Sequence, residues 1–307
     1  MKMKQRLLAI VCALFAMQTM VWAQEASGYC GDPSVNEGKD VKWELSADGV
    51  LTISGVGAVK NCTWDSSAPW TGYQFTSVVV KEGITKIGLA AFYYCSGFTS
   101  ITLPNSLTSI GNSAFYMCSD LTGITFPDSL MSIGESAFAE CSGLTSITFP
   151  NSLTSIGNGA FNTCTSLTSI TLPNSVTSIG ESVFSRCSGL TSVTMGNSVT
   201  NIGSGAFKGC SSLSFVTCLN PVPPTLDNSF DDISENATLY VPDVEAYKAS
   251  DWAQYFSIFE QIDPNCIRGI EAGRKNIPTT IHDLGGRRVT EPVKGRIYIV
   301  DGKTVVW

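Results

Sequence analysis

A fixed period of 23 residues organises the centre of this 307-residue chain. Phenylalanine and cysteine each recur at six positions with this spacing, and every recurrence keeps the same register. Self-similarity at a period of about 20–29 residues is the signature of a solenoid built from stacked turns. The period therefore predicts two buried columns with one member in each turn. The columns are Phe92, Phe115, Phe138, Phe161, Phe184 and Phe207, and Cys95, Cys118, Cys141, Cys164, Cys187 and Cys210.

Each repeat is predicted to contain a strand, a turn, a second short extended segment and a corner. The alternation of polar and apolar residues over Thr99–Leu103 predicts the strand. Pro104 then ends the strand, because proline cannot continue a ladder, and Gly111 permits a tight corner. We expect residues 112–118 to form a short helical or 3₁₀ turn that buries Phe115. No turn can bury its apolar side chains alone, so stacking between turns supplies the core.

The sequence divides into four regions. Residues 1–23 start with basic side chains and continue with an apolar run that is too short to span a bilayer, which predicts a secretory signal peptide. Residues 24–74 are expected to form an N-terminal capping β region. Residues 75–262 are expected to form the solenoid, about seven turns by this spacing, with its C-terminal cap. Residues 263–307 are expected to form a small β-rich tail.

The repeat units resemble the BspA-like leucine-rich repeat family of bacterial surface proteins. The matching unit reads TSITLPNSLTSIGNSAFYMCS at 99–119, and the resemblance extends to 30–59 and 237–256. It implies a β-rich, right-handed leucine-rich repeat array, and a surface-exposed or secreted adhesion protein that binds host proteins or other bacteria. The stretch 282–307 looks like the C-terminal modules of secreted Bacteroidetes proteins, which implies sorting or surface attachment.

The cysteine column has three interpretations. One column of parallel side chains cannot surround a metal ion tetrahedrally, and parallel Cβ vectors argue against disulfides between turns. We therefore expect buried thiols, which pack as small apolar side chains. Cys30 and Cys62 lie outside the column in the cap, and the sequence leaves open whether they form a disulfide in an oxidising compartment.

Charge and composition narrow the class of function. The net charge is −7 and no basic run is present, which argues against a nucleic-acid partner. The only histidine is His282, which argues against a catalytic site that uses histidine. We therefore expect no enzyme activity, no cofactor and no metal. The expected partner is a protein, and the mature chain is expected to be exported, monomeric and without a transmembrane span.

The outward side of the main strand provides the candidate interaction face. Serine and threonine recur there between the inward apolar positions, which predicts a flat and almost uncharged surface of the kind that solenoids use to dock partners. Two alternatives remain: a solubilising face in a structural spacer protein, and, least favoured, a hydroxyl ladder of the ice-binding type. The candidate residues are Ser100, Thr102, Thr125, Ser146, Thr148, Ser169, Thr171, Ser192 and Thr194.

Overall fold

A computed structural model describes residues 25–63 and 66–262. It also describes the backbone of three short strands between 281 and 306. The predicted signal peptide at 1–23 and most of the predicted tail at 263–307 lie outside the described residues. No helix in the part of the chain that the structure describes is long and apolar enough to cross a membrane.

The chain enters the solenoid through an antiparallel cap. Strand β1 (Ala26–Tyr29) pairs with β2 (Val41–Leu45), and β2 pairs with β3 (Val50–Gly55). Strand β3 then pairs in parallel with the first repeat strand, so it belongs both to the cap and to the solenoid. With this shared strand at its start and the parallel strands at 238–241 and 258–261 at its end, the array has about nine turns, so the expected count of about seven was too low.

The main face of the solenoid is a row of parallel strands, one in each turn. Their partners lie one repeat apart, as when Ile101 pairs with Ile124. The row is divided into two adjoining sheets, the first of which also includes the antiparallel cap strands β1 and β2. After β3 its strands are β5 (Ser77–Val80), β7 (Ser100–Thr102), β9 (Gly123–Thr125), β11 (Ser146–Thr148), β13 (Ser169–Leu172), β15 (Ser192–Met195), β17 (Phe215–Cys218), β19 (Thr238–Val241) and β20 (Ile258–Gln261).

A second side consists of shorter parallel strands, as the second extended segment of each repeat predicts. These strands also pair one turn apart, as when Ser132 pairs with Ser155. They are β4 (Gly57–Ala58), β6 (Ile84–Ile87), β8 (Ser109–Ile110), β10 (Ser132–Ile133), β12 (Ser155–Ile156), β14 (Ser178–Ile179), β16 (Asn201–Ile202) and β18 (Thr225–Leu226).

The third side differs from the prediction. Residues 112–118 form consecutive tight turns, and the expected helical or 3₁₀ turn is wrong. Ser113 and Met117 have φ angles of 52° and 58°, in the left-handed region. This geometry directs their amides towards the next turn, where they donate to the carbonyls of Glu135 and Ala139 at 2.8 and 2.9 Å. Alternate amides on this side therefore join neighbouring turns, and the amides between them donate within the turn, as from Tyr116 to the Ser113 carbonyl at 3.1 Å. A helix would keep all of these bonds within one turn.

The core contains a continuous stack of aromatic rings. From Phe92 to Phe207 the rings lie 5.0–5.5 Å apart between centroids, within 10° of parallel. Phe230 continues the stack, and Trp70 and Trp252 close its two ends. Both indole N–H groups donate to backbone carbonyls at 2.9 Å, so these large rings are buried without an unsatisfied donor.

The C-terminal cap contains the one α-helix of the described residues, α1 (Val244–Lys248), followed by a 3₁₀ segment at Asp251–Gln254. The Asp243 side chain caps α1 by accepting from the Ala246 amide at 3.0 Å. Beyond the cap, β21 (Ile281–His282), β22 (Ile297–Val300) and β23 (Lys303–Val306) form a three-stranded antiparallel sheet.

Candidate interaction face

Many hydroxyl groups of the repeats bind the backbone of the preceding turn. The Thr122 hydroxyl donates to the Thr99 carbonyl at 3.1 Å, and the Thr145 hydroxyl donates to the Thr122 carbonyl at 3.0 Å. We call this column the ladder threonines; it continues through Thr168 and Thr191. Part of the serine and threonine enrichment is therefore structural, which sequence reasoning missed.

A second set of hydroxyl groups faces outward on β7, β9 and β11. These residues alternate with inward side chains such as Ile101 and Ile124, which are 7% exposed. Neighbouring parallel strands lie about 4.8 Å apart, so the threonines form a short row across three turns, whereas Gly123 separates the two serines in the other row. We call this set the hydroxyl face; its members Ser100, Thr102, Thr125, Ser146 and Thr148 are all exposed.

The C-terminal half of the predicted face is less accessible. Ser169, Thr171 and Ser192 are half-buried. Thr194 is only 8% exposed, so its predicted place on an exposed face is wrong.

Larger outward side chains occur in the same strand rows. Phe215 pairs with Ser192, and Tyr240 pairs with Thr217, which is itself the neighbour of Thr194. The two rings stand beside the small hydroxyl residues, and Thr217 is only 1% exposed. The sequence carries this signal, because Phe215 and Tyr240 interrupt the serine and threonine pattern.

Charge is absent from the hydroxyl face and concentrated elsewhere on the same turns. No lysine, arginine or histidine occurs between Lys86 and Arg186, whereas five carboxylates do. All five lie outside the main strands, on corners and turns. They are Asp120, Asp128, Glu135, Glu140 and Glu181.

The cysteine column packs behind the phenylalanine stack. Cys118, Cys141, Cys164, Cys187 and Cys210 are fully buried, and each thiol donates to a phenylalanine carbonyl 26 residues earlier, at 3.0–3.2 Å. Cys95 departs from the predicted column because it is only half-buried. Its thiol lies 4.0 Å from the Tyr93 carbonyl, in its own turn, and not at the carbonyl of a residue 26 positions earlier.

The cap cysteines are also free thiols in the structure. Cys30 and Cys62 are both buried, and no disulfide joins them. Burial raises the pKa of the Cys30 thiol to about 12. Among the residues described, no group of three or more histidine, cysteine, aspartate or glutamate side chains is placed to hold a metal ion.

The buried thiols predict how stability depends on pH. Burial raises the pKa of Cys141 from its ordinary value of 9.0 to about 12. Above pH 9 the unfolded chain therefore loses a proton that the folded chain keeps, and stability falls until about pH 12. Denaturant titrations from pH 8 to 11 should show this decline, with a shallower slope in Cys141→Ala. An identical slope in the variant would contradict the assignment.

Comparison with known proteins connects this repeat geometry to a family. The family model described as BspA type leucine-rich repeat region matches residues 69–165 and 109–239, in 6 copies. No curated protein matches the chain.

Several solved structures are similar to the chain. A leucine-rich repeat protein of T. pallidum is 30% identical, with 57% of this chain and 88% of that one covered and a TM-score of 0.45. A leucine-rich repeat protein of Eubacterium ventriosum is 21% identical, with coverages of 77% and 85% and a TM-score of 0.40. The pneumococcal vaccine antigen PcpA is 15% identical, with coverages of 76% and 99% and a TM-score of 0.27.

Proposed function

This chain belongs to the BspA type leucine-rich repeat family, and from that premise we propose that it is an exported adhesion protein. Its solenoid binds a protein component of a host or bacterial surface through the hydroxyl face. The observation that carries the proposal is the exposure of Ser100, Thr102, Thr125, Ser146 and Thr148 on three adjacent strands.

The chemistry of this face suits burial against a protein. A hydroxyl group both donates and accepts hydrogen bonds, so the face can pair with backbone or side-chain groups of a partner. Burying a hydroxyl costs far less than burying an unpaired charge, and the face carries no charge. Its hydroxyls also differ from the ladder threonines, whose donors already bind the carbonyls of neighbouring turns.

Binding accounts for the residues better than catalysis does. The five carboxylates of the central turns lie on different corners, and no described histidine, cysteine or carboxylate cluster gathers around a metal position. We therefore propose that the protein has no enzyme activity. A structural spacer without a ligand is the alternative that a binding experiment separates from adhesion.

Export is the second part of the proposal. The basic start and apolar run of residues 1–23 support cleavage close to Gln24. N-terminal sequencing of the native protein should find a mature chain that begins near Gln24, outside the inner membrane. A native protein that retains Met1 would contradict export by this route.

The binding experiment uses the mature chain as bait for extracts of host matrix and of bacterial surfaces. The wild type should retain the partner. Binding should weaken when Thr125 and Thr148 are both replaced by lysine, because bulky charges disrupt a flat neutral face without reaching the core. The matched control is Ser155→Lys, an exposed position on β12 of the second side.

The control decides the interpretation. If the variant with Thr125 and Thr148 replaced still retains the partner, the hydroxyl face is not the binding site. Equal losses in Ser155→Lys would show a general effect of added charge. If no extract component is retained by the wild type, the spacer interpretation replaces adhesion.

A further inference from the structure

An open groove of about 330 Å³ lies on the third side of the solenoid, away from the hydroxyl face. Its lining residues belong to two columns that recur at the repeat spacing, so the groove runs along the solenoid axis across four turns. At about 4.8 Å per turn this distance is roughly 14 Å, the length of about four extended residues. The lining residues are Tyr94, Ser96, Met117, Ser119, Glu140, Ser142 and Thr163.

Tyr94 lies at one end of the groove and belongs to a cluster of three tyrosines. The ring of Tyr93 lies 4.6 Å from Tyr94 and 5.1 Å from Tyr116, and Tyr94 lies 5.9 Å from Tyr116, between centroids. Tyr94 is 57% exposed, although it is held by its neighbours. The face of such an exposed aromatic ring can stack on a planar cation or on another flat group.

A positioned carboxylate completes the groove. The Tyr116 hydroxyl donates to Glu140 Oε1 at 2.6 Å. This hydrogen bond to the carboxylate, together with burial, raises the pKa of Tyr116 to about 12, so the tyrosine remains a donor at neutral pH. The three ion pairs among the described residues involve Glu37, Asp231 and Glu245, so Glu140 has no basic partner there.

The charge around the groove selects the type of ligand. The central turns hold five carboxylates and no basic side chain from residue 87 to residue 185. Glu140 is the only charged side chain that lines the groove, and Arg186 occupies the same repeat position two turns further along. A cation from a partner would therefore neutralise Glu140. A guanidinium group fits best, because it can stack on an aromatic ring and donate to a carboxylate at the same time.

We propose that this groove binds an arginine side chain of an extended segment in a partner protein, with Tyr94 contacting the guanidinium and Glu140 accepting its hydrogen bonds. The proposal rests on the protein-binding function and adds the chemistry of a second contact surface. It places this contact on the turn side, whereas the hydroxyl face lies on the main strands.

The probe is the peptide acetyl-Gly-Ala-Arg-Ala-Gly-amide, titrated into the full mature chain at low ionic strength and followed by NMR. Its counterpart with citrulline in place of arginine has the same shape without the charge. We expect saturable binding of the arginine peptide and at least about fivefold weaker binding of the citrulline peptide.

Two variants test the two groups of the groove. Glu140→Gln keeps an oxygen that accepts from Tyr116 but removes the charge, so binding should weaken by about fivefold or more at unchanged stability. Tyr94→Leu should weaken binding by a similar factor, and Tyr94→Phe should retain it, because phenylalanine keeps the ring. The matched control is Glu135→Gln, an exposed carboxylate of the same turn that does not line the groove.

Three outcomes would overturn the proposal. Equal binding of the two peptides would show that charge is not recognised. Equal losses of affinity in Glu135→Gln and Glu140→Gln would show that the peptide responds to the overall negative charge and not to a specific site. Binding of maltotetraose in place of the arginine peptide would assign the groove to carbohydrate. The extract experiment with the Thr125 and Thr148 replacements is measured separately, so failure of the groove and failure of the hydroxyl face are distinguishable.

Discussion

Replacing Phe138 by alanine is expected to lower the free energy of unfolding by about 3–5 kcal/mol. The side chain is fully buried, with the rings of Phe115 and Phe161 on its two faces at 5.0 and 5.3 Å between centroids. The ring of Phe126 meets it edge-on at 5.7 Å. Truncation therefore leaves a cavity that neighbouring turns, which are fixed by their backbone hydrogen bonds, cannot easily close.

Denaturant titration monitored by circular dichroism measures this loss. Thr148→Ala is the matched control from the next repeat, because Thr148 is exposed and should change stability by no more than about 0.5 kcal/mol. Similar losses in the two variants would contradict the assignment of inward and outward positions.

Deleting one complete repeat is expected to be tolerated much better than a shorter deletion, because only the complete repeat preserves the register. Removal of residues 121–143 takes out 23 residues and joins Asp120 to Leu144, which occupies the same repeat position as Leu121. Phe115 and Phe161 then become neighbours in the stack. Because each turn contacts only its neighbours, the shortened array keeps all its other interfaces.

Removal of residues 121–130 takes out only 10 residues and breaks the register. Strand side chains that faced the core would then be displaced from their columns, and the hydrogen bonds between turns would lose their partners. The longer deletion should unfold at a clearly higher temperature than the shorter one. Equal melting behaviour of the two proteins would contradict the repeat as the unit of folding.

The repeat period and the strand alternation carried most of the fold prediction. A spacing of 23 residues brings Phe92 and Phe115 to the same position in successive turns, and alternation then assigns Ile101 inward and Thr102 outward. The start of the solenoid was harder to predict, because β3 lies in a cap of different sequence and joins the array only through its parallel pairing with β5.

The third side could not be predicted from residue types. Ser113 and Met117 adopt left-handed conformations that usually favour glycine, so neither residue signals its geometry. A run of small and apolar residues such as 112–118 is equally compatible with a helical turn. The conformation is set by hydrogen bonds to the next turn, which are contacts between repeats.

The sequence also could not separate the two sets of hydroxyl groups. Thr122 and Thr125 are both exposed threonines of one repeat, yet only Thr122 directs its hydroxyl at a carbonyl of the preceding turn. The loss of exposure at Thr194 depends on side chains one and two turns away. The groove on the third side could not be predicted either, because it depends on Glu140 lying one turn beyond Tyr116.

Isosteric replacement of the two sets of threonines tests the central claim, that the ladder threonines stabilise the solenoid and the hydroxyl face binds the partner. The first variant changes Thr122 and Thr145 to valine, and the second changes Thr125 and Thr148 to valine. Both are measured for the free energy of unfolding and for affinity towards the surface component retained by the wild type. The first should lose roughly 1 kcal/mol per hydrogen bond and keep its affinity. The second should keep its stability within about 0.5 kcal/mol and lose affinity. A second variant that binds as well as the wild type, or a first variant that loses affinity at unchanged stability, would contradict the account.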